Sequence, residues 1–329
     1  MTVYSSCLNR RQALAAFGTL GWAAAVSPLL GGRVHGPPML GMSLPTHYRV
    51  KLGTFEVTAI SDGAFFPGSP YPIFGINDKP ENVHHVLRDN MLPHDRLQLP
   101  IAPIVVNTGK ALVLFDAGYG SAAGASAGAF VSNLAEAGYT PEQIDIVVIS
   151  HCHGDHIGGL IGPNGPNFPN ARYVIAEEEY RFWTAPELLS GDMAKHARLT
   201  LEQVVPLMDR IVFVKGNTEV THGVFALEAF GHTPGHLVFH VESEGQRMLI
   251  WADVAVHQVL SLQRPDWYLT YDVDKDKAAV MRKRIFDMAA TERMTVHGYH
   301  MTFPGFGFVE RRDLAYRWVP ASDHLTMVM

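Results

Sequence analysis

Three histidines and an aspartate fall within six residues, His151-Cys152-His153-Gly154-Asp155-His156. Neutral imidazole and carboxylate are ligands that zinc, iron and manganese accept. No regular helix or strand presents all four side chains on one face, so the stretch reads as a loop that fans them around a point. More donors recur downstream, in Phe230-Gly231-His232-Thr233-Pro234-Gly235-His236, in Leu249-Ile250-Trp251-Ala252-Asp253 and in Val296-His297-Gly298-Tyr299-His300. Each of these follows an apolar run that reads as a β-strand. A two-metal site needs two such clusters and a bridging anion, with the ions about 3.5–4 Å apart. The 17 histidines are the unusual count in a chain of 329 residues.

The elements that must carry these loops are legible as runs and turns. Residues 48–52 and 54–61 pivot on Gly53, and 101–107 and 111–115 pivot on Thr108-Gly109; both pairs read as hairpins. Between them, 62–100 is rich in proline and aromatics and reads as a long ordered loop with a short helix near 81–88. A helix is predicted over 124–138, and Thr140-Pro141-Glu142-Gln143 starts another helical turn. Residues 144–150 form a continuous β-branched run, a buried strand that ends directly at His151. Strands follow at 171–176, 211–214, 220–230, 237–242, 248–251 and 294–297, with helices over 177–183, 199–210 and 274–291. Hairpins and helices thus alternate twice. That pattern predicts an α/β chain of two similar halves, each a sheet with helices on one face, stacked as an αββα sandwich.

Composition narrows the class. The chain is 47% hydrophobic and 18% charged, too apolar for disorder and long enough for a sizeable core. A net charge of −6 argues against a nucleic-acid partner, which would call for a basic stripe. Two cysteines make no disulfide framework, and Cys152, between two histidines, reads as a small buried hydrophobe. Residues 1–40 read as an export signal: Arg10-Arg11, an apolar stretch from Ala13 to Leu30, then a Gly/Pro-rich exit. The paired arginines suggest the twin-arginine type and a periplasmic destination, leaving 41–329 as one domain. Beyond residue 40 no apolar run reaches the 18 residues that a membrane span needs.

The HxHxDH motif, then HTPGH, a strand-terminal Asp and a late His, in that order, resembles the metallo-β-lactamase superfamily. The resemblance runs from about residue 50 to residue 300. Toward the C-terminus, His300-Met301-Thr302-Phe303-Pro304-Gly305-Phe306-Gly307, Tyr316-Arg317-Trp318-Val319-Pro320 and the stretch 271–286 resemble the methyl parathion hydrolase group and related lactonases and esterases. The resemblance implies one metal on His151, His153 and His232. It implies a second on Asp155, His156 and His300, with Asp253 bridging, and zinc as the ion, with manganese, cobalt and iron as alternatives. Asp116, in Leu114-Phe115-Asp116-Ala117-Gly118, is expected to sit behind a ligand histidine and orient it. His236 and His297 flank ligands and are expected to pack or to support them.

Two divalent ions sharing a water supply hydroxide near neutral pH and polarise the attacked oxygen. The expected activity is therefore metal-dependent hydrolysis, with Asp253 and Asp155 as catalytic carboxylates and Asp155 shuttling a proton to the leaving group. Bulky residues such as Phe66, Trp183, His257 and Phe303 are expected to line an apolar pocket. Such a pocket favours an uncharged organophosphate triester, a lactone or an aryl ester over a phosphodiester, which would want Arg or Lys. An N-acyl homoserine lactonase with slight triester activity is the alternative. A mononuclear-iron persulfide dioxygenase and a non-catalytic metal-binding protein rank below both, since no ligand position is lost. The resemblance also implies a homodimer.

Overall fold

Apolar residues alternate from Val50 through Ile60, and they form the first hairpin. In this computed structural model, which describes residues 39, 41 and 43–321, β1 (His47–Leu52) pairs antiparallel with β2 (Phe55–Ile60). The predicted export signal lies, Met39 apart, outside the described residues. The chain divides into Met1–Ser43 and Leu44–Met329, and only the second unit is described below.

The segment 62–100 is more ordered than a loop. It holds β3 (Gly63–Gly68), α1 (Pro70–Ile73), α2 (Pro80–Asp89) and β4 (Leu97–Ile101), and β3 pairs with β4 across the whole insertion. That pairing joins positions remote in sequence, so no local pattern announced it. The second hairpin is β5 (Ile104–Asn107) and β6 (Leu112–Phe115). The helix predicted over 124–138 shrinks to α3 (Phe130–Glu136), because Gly124 and Gly128 adopt φ of +69° and +90°, outside the helical region.

The middle of the chain continues with β7 (Ile146–Val148), α4 (Gly154–Ile157), the short ribbon β8 (Ile161–Gly162) and β9 (Gly165–Pro166), and β10 (Arg172–Ala176). Then come α5 (Glu177–Trp183) and α6 (Ala194–Gln203). The helix predicted over 199–210 starts earlier and gives way to a 3-10 turn at Val205–Arg210, because Pro206 cannot donate into a continuing helix. After β11 (Ile211–Val214), the single strand predicted over 220–230 is a hairpin, β12 (Thr218–Thr221) and β13 (Val224–Glu228). The chain closes with β14 (Leu237–Ser243), β15 (Gln246–Ile250), α7 (Leu260–Gln263), α8 (Lys275–Glu292), β16 (Thr295–His297) and a C-terminal hairpin, β17 (Phe306–Arg312) and β18 (Ala315–Pro320).

Two seven-stranded sheets result, ordered β1-β2-β5-β6-β7-β10-β11 and β12-β13-β14-β15-β16-β17-β18. Period-two alternation decides what each face buries. Val106, Val113, Phe115, Val148 and Val174 of the first sheet meet Ala226, Phe239, Val241 and Ile250 of the second, with the Phe115 and Phe239 rings 5.0 Å apart. The alternate residues Val105, Leu114, Val147 and Ile175 pack outward on Phe130, Leu134, Trp183 and Ala197. On the second sheet, Val238, Leu249 and Val296 pack outward on Ile285, Phe286 and Ala289 of α8. Each such Val, Leu, Ile or Phe side chain contributes about 1.5–3 kcal/mol on burial. The architecture is the predicted αββα sandwich. Among the described residues no helix is long and apolar enough to cross a membrane.

Candidate metal centre

Five strands end at the same rim of the sandwich, and each hands a polar residue to it. Asp116 follows β6, His151 follows β7, His232 follows β13, Asp253 follows β15 and His300 follows β16. One turn of helix, α4, adds Asp155 and His156, with His153 as its N-cap. A carboxyl-end rim is where open α/β sheets place ligands, because the chain must leave the sheet there.

The side chains converge as two groups, His151, His153, His232 and Asp253 in one and Asp155, His156 and His300 in the other. In the first, His151 Nε2, His153 Nδ1 and His232 Nε2 lie 3.0–3.2 Å from one another. Asp253 Oδ2 is 3.3 Å from His232 Nε2 and 3.8 Å from His151 Nε2. The second oxygen of the same carboxylate turns the other way. Asp253 Oδ1 is 3.1 Å from His156 Nε2 and 3.3 Å from His300 Nε2, while Asp155 Oδ2 is 3.3 Å from His300 Nε2. One carboxylate therefore joins the two groups.

These residues fit a pair of metal ions. Nitrogens bound to zinc at about 2.0–2.1 Å around a tetrahedron stand roughly 3.3 Å apart, close to the spacing of the histidine trio. His232 Nδ1 is 2.8 Å from the Asp272 carboxylate, to which it donates, leaving Nε2 as the nitrogen that faces the centre. His156 Nε2 and Asp253 Oδ1 are fully buried and, though 3.1 Å apart, make no aligned hydrogen bond with each other or with another described residue, a costly state that a cation relieves. Electrostatics agree. Burial pushes His151 and His153 well below the usual imidazole range. Against the same burial penalty, hydrogen bonds to Asp253 and Asp272 hold His232 up to about 9, and Asp253 raises His156 and His300. The carboxylates thus create a centre that demands positive charge, which a divalent ion held by these residues would supply in place of the protons.

A family model, the metallo-beta-lactamase superfamily, matches residues 98–287, more than half of the chain. The chain belongs to the metallo-β-lactamase superfamily. Among curated proteins, an N-acyl homoserine lactonase from a Bacillus species is 27% identical over 180 residues, covering 49% of this chain and 66% of that protein. The matched stretch thus spans just under two thirds of that relative. The N-acyl homoserine lactonase AttM of Agrobacterium fabrum is 27% identical over 126 residues, 36% of this chain and 44% of that protein. Two solved structures share the whole sandwich. AidC, a dizinc quorum-quenching lactonase in complex with a product, has a TM-score of 0.77 at 26% identity, covering 84% of this chain and 97% of that one. The hydrolase AbOPH has a TM-score of 0.79 at 28% identity, covering 85% and 99%.

In this superfamily member a further layer of bonds fixes the ring orientations. Asp116 Oδ2 sits 2.8 Å from His156 Nδ1 and accepts from Ser150 Oγ, while its Oδ1 accepts from Ser150 N. Behind His232, Asp272 is held by a bond from Arg282 at 2.9 Å. His300 Nδ1 donates to Pro100 O at 2.7 Å, tying it to β4. Tyr299 stacks on His156 at 4.1 Å and donates to Asp155 O. His236 Nε2 accepts from Asp253 N, so it steadies the backbone that carries that carboxylate. His297 is buried, with neither ring nitrogen partnered among the described residues. Cys152 is buried in the apolar layer outside the first sheet.

A cavity of about 530 Å³ opens over both groups, walled by Phe65, Leu99, Tyr119, Leu199, Val256 and Tyr271, with Lys195, His196, Arg198 and Glu202 of α6 also lining it. The four residues predicted to line it lie elsewhere. Trp183 is only 1% exposed and donates from Nε1 to Glu179, backing His153 from the core. Phe66 points to solvent, 57% exposed, because strand alternation gives the inner position to Phe65. His257 Nδ1 accepts from Val259 N and Leu260 N at the start of α7, and burial drives it down to about 4. Phe303 packs against the core between the sheets. Trp183→Ala is accordingly expected to cost about 3–5 kcal/mol of stability, read as a lowered denaturation midpoint; a changed substrate preference at unchanged stability would contradict this placement.

Sequence reasoning missed Asp272, Arg282 and Glu179 as parts of the site. Asp272 lies in an ordinary Asp272-Val273-Asp274 stretch whose second aspartate caps α8. Glu179 is the third of three consecutive glutamates and is fully buried, which only helix phase against the finished fold could have indicated.

Proposed function

We propose that this protein is a dizinc hydrolase that opens lactones and cleaves related carboxylic esters carrying an apolar acyl chain. The observation that carries the reading is the shared Asp253 carboxylate under a largely apolar cavity. The lactonase relatives support the substrate class, and the histidine trio supports zinc. When bound, the two ions would activate a water as nucleophile and polarise the attacked oxygen.

The protein's own residues supply the rest. Phe65, Leu99, Leu199 and Val256 offer an acyl chain an apolar wall that excludes water. Tyr119 and Tyr271 border the same space, and burial raises both phenols, Tyr271 to about 12, so they stay protonated donors at neutral pH. Asp155, with Oδ2 facing His300 and its side chain partly open to the cavity, is the carboxylate that would pass a proton to a leaving oxygen.

The test is kcat/KM on metal-quantified protein for an N-acyl homoserine lactone, a phenyl ester and paraoxon. Dominant lactone turnover is expected. Dominant triester turnover would replace the lactone reading with the organophosphate one, and a dizinc protein that hydrolyses none of the three would overturn the assignment. Within the lactone reading, Phe65→Ala should raise KM for long acyl chains about tenfold while kcat changes little, as loss of a nonpolar wall does.

A further inference from the structure

Glu179 is fully buried and lies on α5, away from the converging metal-binding atoms. Its two oxygens accept four hydrogen bonds. Oε1 receives Cys152 N and Trp183 Nε1, both at 2.8 Å, and Oε2 receives Thr233 Oγ1 at 2.7 Å and Gly235 N at 2.9 Å. Cys152 separates His151 from His153, and Thr233 follows His232. One carboxylate therefore grips both loops that deliver the histidine trio. The grip is close: a Cβ on Gly235 would lie 2.3 Å from Glu179 N and 2.6 Å from its Cβ, so only glycine lets the second loop seat there. The other group is held by different partners, Asp116 for His156 and Pro100 O for His300.

We propose that Glu179 is a positioning residue for the first metal site, clamping Cys152, between His151 and His153, to the His232–His236 loop so that His151, His153 and His232 meet at one point. The inference rests on the two-metal reading. A glutamine in its place keeps the shape but presents an amide NH2 to donors, so at least one loop loses its bond. Outer partners of metal ligands typically govern about 10–100-fold in affinity.

The experiment is competition of Zn2+ between a chromophoric chelator and the full chain, with Co2+ absorption spectra to follow each site. The wild type should take two ions per chain; fewer than two would be a failure of the two-metal reading, seen before any variant is compared. In Glu179→Gln, one site should weaken about 10–100-fold while the other stays within about threefold. The Co2+ bands of the weakened site should shift, because its nitrogens no longer converge. Equal weakening of both sites, or a lowered melting temperature with both affinities intact, would overturn the proposal. Should Glu179→Gln fail to fold, Thr233→Val removes one donor and leaves the carboxylate bonded. It should weaken the same site in the same direction, and unchanged affinity there would equally overturn the inference.

Discussion

Asp253→Ala is expected to release metal from both groups and to lower kcat/KM for any substrate by well over about 100-fold, since loss of outer partners alone reaches that figure. The reason is that each oxygen of this side chain serves a different group. Oδ1 stands near His156 and His300, and Oδ2 near His232 and His151. Around it burial disfavours ionisation, yet His300 and His156 hold the carboxyl well below its usual range, so it remains an anion. Removing it leaves six converging donor residues with one negative charge fewer and no side chain common to both halves. Metal analysis beside steady-state kinetics checks this. Two ions per chain with full activity in the alanine variant would refute the joining role.

Asp272→Ala is expected to cost about 3–5 kcal/mol of folding stability and to weaken metal binding as well. Arg282 is 4% exposed, and among the described residues Asp272 is the one carboxylate it meets; its other bonds go to the carbonyls of Val254, Pro265 and Trp267. Without Asp272 the guanidinium is a buried charge with no counter-charge, and His232 loses the acceptor that sets its tautomer. A second change, Arg282→Met, should return much of the stability by removing the stranded charge, while metal affinity stays low. Urea midpoints and metal titration separate the two effects. Recovery of metal affinity in the double variant would mean that Asp272 acts on the centre only through the fold.

The clustering of donors was readable because local chain geometry dictates it. His151, His153, Asp155 and His156 are near neighbours following an unbroken apolar strand, and a loop leaving a buried strand must turn at the sheet's rim. The αββα layering was readable for a similar reason: period-two strands and amphipathic helices show which faces seek burial. Such signals reach only a few residues along the chain. What depended on contacts remote in sequence stayed hidden, including the β3–β4 pairing, Asp272 behind His232 and Glu179 beneath two loops.

The pocket shows where that boundary falls. An aromatic residue is equally at home in a core or a cavity wall, and its type alone does not distinguish them. Trp183 became core because its indole found the buried Glu179, and Phe65 took the wall from Phe66 because register set their alternation. By itself the sequence determined the clustering of donors at strand ends and the class of fold, since these follow from side-chain chemistry and local periodicity, while the full ligand set with Asp253 as its bridge was what the resemblance to the metallo-β-lactamase superfamily implied. Only the tertiary structure decided that Asp272, Arg282 and Glu179 stand behind the ligand loops and which residues face the substrate, because those roles are distances between segments that meet only after the two sheets have packed.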